Sequence, residues 1–253
     1  MFLRKFLGTL IGDIRIVRNI CIPPCFIIGE VTGKIDLSTD YRNLTRKIEI
    51  GDILISRSWG YFGSNVAIPG AFKHGMIYVG PIKGEKNKKG FIENPIPTEN
   101  GIHKRCVIHA ISEGVVCQDL IDVMKHCDYM AAFKANYTLH SIIDIVKARK
   151  ILVEEACEKV GLPYDFGFNW RTHKSFCCTE LVDYLLKKVE LSTPQKIEKR
   201  VKLFGKKNKV TIADSYMTLY KLSWVSNSCY EKGFVEKSKF SKLFRMRLTE
   251  LGK

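Results

Sequence analysis

Phe72-Lys73-His74-Gly75-Met76-Ile77-Tyr78-Val79-Gly80 and, far downstream, Ser175-Phe176-Cys177-Cys178-Thr179-Glu180-Leu181-Val182 are the stretches on which the reading of this chain turns. The first opens on a histidine and runs through β-branched and aromatic residues to a glycine, the composition of a strand. Alternation places His74, Met76 and Tyr78 on one face and Gly75, Ile77 and Val79 on the other. The second delivers a cysteine to the start of a helix. Cys178, Leu181, Val182 and Leu185 stand at i, i+3, i+4 and i+7, so Cys178 leads the apolar face and Cys177 precedes it.

A nucleophilic thiol needs a nearby imidazole and an electropositive site, and a helix N-terminus supplies the second of these. Its backbone N–H groups also suit a developing oxyanion. The expected pair is Cys178 as nucleophile and His74 as base, with a depressed thiol pKa. On the residues alone, the two cysteines fit equally well as small buried hydrophobes. A third polar group should orient the imidazole. His109, in the strand-like Val107-Ile108-His109-Ala110, is the first candidate, with Glu113 and Glu93 as competitors. His103, His126, His140 and His173 have no comparable context and read as surface residues.

Working outward, Ile50 to Ser56 reads as a turn feeding a strand, followed by an aromatic loop, Trp59-Gly60-Tyr61-Phe62-Gly63. Lys83 to Lys104 has the Lys, Gly, Asn and Pro content of a loop, with a short strand at Gly90-Phe91-Ile92. Leu120 to His126 is expected as a short helix. Leu139 to Val160 is expected as a longer one, with Ile142, Ile143, Val146, Ile151, Leu152 and Ala156 as its apolar residues, stopped by Gly161-Leu162-Pro163. Cys178 to Val189 is the third helix. No period is evident beyond Lys209, and Glu231 to Lys253 is polar and basic. Trp59, Tyr61, Phe62 and Trp170 are candidates to line an apolar pocket, although aromatic residues more often sit in a core.

Composition limits the alternatives. Forty-five per cent apolar residues in 253 suit one globular domain with decoration. No apolar run reaches the ~20 residues of a spanning helix. Met1 to Gly12 is basic and briefly apolar, but Asp13, Arg15 and Arg18 interrupt it. It reads as an amphipathic helix carrying Phe2, Leu3, Phe6, Leu7, Leu10, Ile14 and Val17, docked on its own domain. Lying in an anionic membrane surface is the minority alternative.

The nine cysteines are odd in number and irregularly spaced, which argues for a reducing, cytoplasmic setting over a disulfide framework. Cys21 and Cys25 have no second pair at zinc-ligand spacing, so neither metal nor cofactor is expected. The formal charge of +15 is concentrated at Lys83 to Lys89 and Lys196 to Lys209, the latter holding seven Lys or Arg against one Glu. Such runs favour an anionic partner or mark a solvated face. Without interleaved aromatics, specific nucleic-acid binding is not expected.

Taken in order, Ile50-Gly51-Asp52-Ile53-Leu54, His74 to Gly80, Val107 to Ala110 with Gly114-Val115, Gly161-Leu162-Pro163-Tyr164-Asp165 and Cys178-Thr179-Glu180-Leu181-Val182 resemble the circularly permuted NlpC-type papain-like cysteine hydrolases. The likeness is to their YiiX/YebB-like branch, related to the lecithin–retinol acyltransferase group, and it spans about Lys47 to Leu219. The histidine precedes the cysteine, the reverse of papain itself. The resemblance implies an α+β fold in which helices pack a small antiparallel, barrel-like sheet. It also implies Cys178 as nucleophile, His74 as base and His109 at the third position. The Lys-rich insertion between His74 and His109 departs from the usual short hairpin.

The domain expectation is therefore an N-terminal amphipathic segment at 1–30, the permuted papain-like domain at 31–230 and a basic extension at 231–253. The leading functional expectation is a thiol hydrolase that cleaves an amide or ester through an acyl-enzyme. Its substrate class is a peptide, an amide or a lipid acyl group. A lipid-directed acyltransferase or lipase with the same dyad and membrane association through the N-terminus is the alternative, and a catalytically silent binding module is the third.

Overall fold

A computed structural model describes residues 33–58, 68, 70–135, 142–168, 170, 172–194, 196–200, 207–230 and 241–251. The N-terminal amphipathic segment, Cys21, Cys25, Trp59, Tyr61, Phe62 and His140 lie outside the described residues. In chain order the elements are α1 (Asp40–Thr45), β1 (Ile53–Arg57), β2 (His74–Lys86), β3 (Ile92–Pro97), β4 (His103–Ile111), β5 (Gly114–Asp119), α2 (Leu120–Met124), β6 (Tyr129–Lys134), α3 (Ile142–Glu158), α4 (Cys178–Lys188), β7 (Ile197–Arg200), β8 (Lys207–Val210), β9 (Lys221–Val225) and α5 (Ser241–Glu250). Short 3-10 helices cover Ala213–Thr218 and Asn227–Tyr230.

Seven strands form one antiparallel sheet in the order β3-β5-β4-β2-β1-β6-β9, and β3 also pairs with β2. That extra pairing closes β2, β4, β5 and β3 into a small barrel. The long β2 bends to allow it, with register shifts on either side of Gly80 and again between Lys83 and Glu85. Bulges increase local twist in this way. Gly80 has φ +76°, and a Cβ there would lie 2.8 Å from the Ile50 side chain, so only glycine fits.

Both faces of the central strands are covered, which explains why Ile53 to Arg57 are all buried. Ile53, Ile55, Ile77, Val79, Ile108 and Phe133 pack against Leu152, Val153 and Ala156 of α3 and Leu181, Val182 and Leu185 of α4. Leu54, Met76, Tyr78, Val107 and Met130 form the opposite face, under Leu44 of α1 and Leu120 and Met124 of α2. The α+β, barrel-like architecture is as expected.

Several local expectations need correction. The Lys-rich segment after Gly80 is largely strand: β2 runs on to Lys86 and turns into β3. Asn87 makes that turn, its Oδ1 accepting the N–H groups of Lys89 and Phe91. Tertiary pairing of Ile92 with Cys117 outweighs the loop-like composition. In the basic stretch after Lys196, β7 and β8 pair antiparallel. Helix α3 buries Leu152 and Ala156 as expected, together with Ala148 and Val153, whereas Val146 and Ile151 are exposed. The aperiodic segment after Lys209 holds a 3-10 helix and β9. At the C-terminus α5 is tied to the core, where buried Phe244 meets Phe72 edge-on at 5.7 Å. Among the described residues no helix is long and apolar enough to cross a membrane.

Candidate active site

The start of β2 is fixed from two sides. Asp214, fully buried, accepts the N–H of Ala71 at 2.8 Å and of Phe72 at 2.7 Å. The Lys73 N–H donates to Ser56 O, which opens the ladder to β1. Gly70 lets the chain pass, since its φ is +104° and a Cβ would fall 2.6 Å from Asp214 Oδ2. His74 is thus delivered to the sheet on a clamped backbone. Asp214 was invisible in the sequence, because a lone Asp in an apolar segment carries no local signal.

Helix α4 presents its N-terminus to this point. Cys177 is extended at the N-cap, and its N–H donates to Glu180 Oε2 at 3.2 Å, satisfying one of the orphan donors of the first turn. Gly75, on the face of β2 that meets the helix, allows close approach; a Cβ there would touch Thr179 at 3.5 Å and Val182 at 3.6 Å. The buried Cys178 thiol lies 4.0 Å from Lys73 O. Its charged form is supported by the N–H groups of Gly75, Thr179 and Cys178 itself. The sulfur therefore rests against the backbone on both sides of His74.

Burial nevertheless raises the Cys178 pKa, and those three donors only partly oppose it. The expected depressed thiol is not what the resting site holds, because desolvation of a thiolate outweighs the helix terminus here. Cys177 is pushed well above the ordinary range, first by burial and then by Cys178 and Glu180.

His74 Nε2 and His109 Nδ1 are 2.8 Å apart. Burial holds His74 well below its ordinary pKa, with a further contribution from His109. Burial takes His109 down to about 4, opposed by the Gln118 side chain and by the charge of Glu113. Both rings are neutral at pH 7. Of the competing third residues, Glu113 sits in the β4–β5 turn, accepting from Ser112 Oγ, and acts on His109 only through its charge. Glu93 is exposed and accepts from Asn87, away from this pair. Gln118, on β5, is a neighbour that sequence reasoning missed. The hydroxyl of Tyr164, a residue of the Gly161 to Asp165 motif, is pushed well up, first by burial. A parallel bridge between Tyr164 and Phe176 brings the Gly161 to Asp165 motif beside the cysteines.

The remaining histidines have other surroundings. His103 lies between Asp119 at 3.2 Å and Gly84 O at 3.3 Å. His173 packs by Phe176 and Tyr184. Trp170 does line a cleft, of about 280 Å³, but its neighbours there are largely charged: Glu180, Asp183, Lys187, Lys188 and Lys196, with His173 and Tyr184. The cleft that Trp170 borders is nevertheless lined mainly by apolar surface, despite the charged ends of those side chains. Among the described residues no group of three or more His, Cys, Asp or Glu is placed to hold a metal.

A cysteine at a helix N-terminus, set against a histidine strand that comes earlier in the chain, defines a papain-like architecture in permuted order. Residues 47–236 match the model of a family described as permuted papain-like amidase enzymes, YaeF/YiiX, C92 family. The chain belongs to that family and is a hydrolase of the cysteine amidase type. A solved structure that also matches is the metalloprotein yiiX from Escherichia coli O157:H7, 17% identical, covering 67% of this chain and 91% of that one, with a TM-score of 0.45. A likeness of that size adds nothing to the family match, and the metal belongs to that protein's description. No curated protein matches.

Proposed function

We propose that the chain cleaves an amide bond through Cys178, with His74 as general base and His109 as the residue that orients it. The observation that carries this reading is the 2.8 Å contact between His74 and His109 at the point where the Cys178 sulfur abuts the strand. With Nε2 of His74 committed to His109, Nδ1 is the nitrogen left to take a proton. That role requires the tautomer in which His74 Nε2–H donates to His109 Nδ1. His109 then carries its own proton on Nε2, a buried atom with no hydrogen-bond partner among the described residues.

At rest the pair is a neutral thiol and a neutral imidazole. The thiol proton passes to His74 Nδ1 as the sulfur attacks the carbonyl carbon, so no buried thiolate has to persist unpaired. In this reading the N–H groups that favour a charged sulfur also serve as donors to the developing oxyanion. His74 then protonates the departing amine, and water attacks the thioester to release the acid and restore the thiol.

The test is acylation by p-nitrophenyl acetate followed by peptide mapping. The expected result is an acetyl adduct on Cys178 that is lost in Cys178→Ala and formed ~100-fold more slowly in His74→Ala. Acylation at another cysteine, or at Cys178 with no dependence on His74, overturns the assignment.

A further inference from the structure

The 3-10 segment that supplies Asp214 also reaches the helix that carries the nucleophile. The hydroxyl of Tyr216, a fully buried side chain, stands 3.1 Å from Thr179 O and 2.8 Å from Asp183 Oδ1. Both acceptors belong to α4, so wherever the hydroxyl proton sits, Tyr216 is tied to that helix. Just before the segment, Thr211 O accepts from Thr179 Oγ1 at 2.8 Å, and the Thr211 hydroxyl donates to Asp183 Oδ2 at 2.5 Å. Thr179 is therefore held at its hydroxyl by Thr211 and at its carbonyl by Tyr216. All four residues are buried, where a lost partner leaves an unsatisfied polar atom.

Tyr216 also meets the strand side of the site. Its ring would lie 3.9 Å from a Cβ on Gly75, which is thus confined by Thr179, Val182 and Tyr216 together. The N–H groups of Gly75 and Thr179 are two of the three that favour a charged Cys178 sulfur. Between residues 211 and 216 the chain anchors the backbone before His74 through Asp214, packs on Gly75 and grips Thr179 beside Cys178. Cys177, Tyr164 and Tyr216 itself interact with a charge on that sulfur, but burial keeps each of them neutral, as it does His74 on the facing strand.

We propose that Tyr216 is a positioning residue for the reaction, holding Thr179 and Gly75 so that their N–H groups stay aimed at the Cys178 sulfur. The assignment rests on the amidase reading and adds to it a residue that acts through two others. Hydrogen bonds weaken steeply as they bend, so a small rotation of the first turn of α4 is enough to cost the sulfur its donors.

The test compares the unmodified chain with Tyr216→Phe, which keeps the ring against Gly75 and removes the hydroxyl, and with Thr179→Val, which keeps a methyl against Gly75 and removes the bond to Thr211. Leu152→Ala, at a buried position on α3, is the control for lost stability. Two quantities are read on each folded protein: the rate of Cys178 acetylation by p-nitrophenyl acetate, and the ionisation midpoint of Cys178 from its isotope-labelled Cβ resonance, identified through Cys178→Ser. Tyr216→Phe and Thr179→Val are each expected to slow acetylation about fivefold to tenfold and to raise the midpoint, because donors that favour the charged sulfur are displaced. Leu152→Ala is expected to lower the melting temperature and leave both quantities unchanged. An unmoved midpoint in Tyr216→Phe, or the same slowing and shift in Leu152→Ala, overturns the proposal. No acetylation of Cys178 in the unmodified chain sinks the amidase reading alone, and the midpoints still decide whether Tyr216 positions the donors.

Discussion

His74 Nε2 and His109 Nδ1 meet at 2.8 Å across the β2–β4 ladder, where Met76 pairs with His109. Both side chains project from the same face of neighbouring strands, so the contact follows from register as much as from residue type. A one-residue slip of either strand would turn one ring to the opposite face.

Replacing His109 should therefore lower turnover without removing the nucleophile. His109→Ala is expected to reduce kcat about tenfold to a hundredfold. His109→Gln, which offers a side-chain oxygen to His74 Nε2–H, should retain more of it. Steady-state kinetics on an activated ester or amide checks this, and equal losses in the two variants would refute an orienting role.

The pH profile should have a low acid limb. His74 must be neutral to accept a proton, and burial holds its pKa well below 6.5. Activity should stay flat as pH falls through 6.5 and decline only at more acid values. A half-point near 6.5 in kcat/KM would show that the essential base is a solvated histidine instead.

Stability should respond to His109 and Glu180 in opposite senses. His109 titrates near 6.5 unfolded and about 4 folded, so the unfolded chain binds more protons between those values. Its burial is without cost above pH 6.5 and destabilises progressively down to about 4, by on the order of 3 kcal/mol. Glu180 moves from 4.5 to about 7, so its contribution is present below 4.5 and is lost as pH rises to 7. The slopes nearly cancel between 4.5 and 6.5. His74 adds to the first trend and Asp183, raised to about 6, to the second. Urea midpoints across pH 4 to 8 should rise with pH more steeply in Glu180→Gln than in the wild type. They should rise less, or fall, in His109→Gln. Parallel curves for all three proteins would contradict the assignment.

The Asp214 clamp should matter to both stability and chemistry. Asp214→Asn turns one of its two accepting oxygens into a donor that faces a backbone N–H. A loss of about 2–4 kcal/mol is expected by chemical denaturation, along with reduced acylation of Cys178, since the strand bearing His74 loses its anchor. Unchanged acylation in a destabilised variant would separate the clamp from the site.

The C-terminal helix belongs to the fold. Phe244→Ala, which empties a buried position against Phe72, should cost about 3–5 kcal/mol. A change within error of zero would place that helix outside the cooperative unit.

The sequence by itself determined the strand opened by His74, the helix led by Cys178 and the order of the two, because alternation and i, i+3, i+4 spacing are local properties. It also determined the permuted papain-like family, since its motifs are short contiguous strings. Only the tertiary structure decided which polar residue stands beside His74. The sequence put His109 ahead of Glu113 and Glu93 without deciding among them, since which one reaches His74 depends on strand register. The same is true of Asp214 and Gln118, which reach the site from distant segments with no local signature. The sign of the Cys178 shift was likewise a tertiary outcome. A helix N-terminus is legible in sequence, but the desolvation that opposes it arises only when β2 and the helix close over the sulfur.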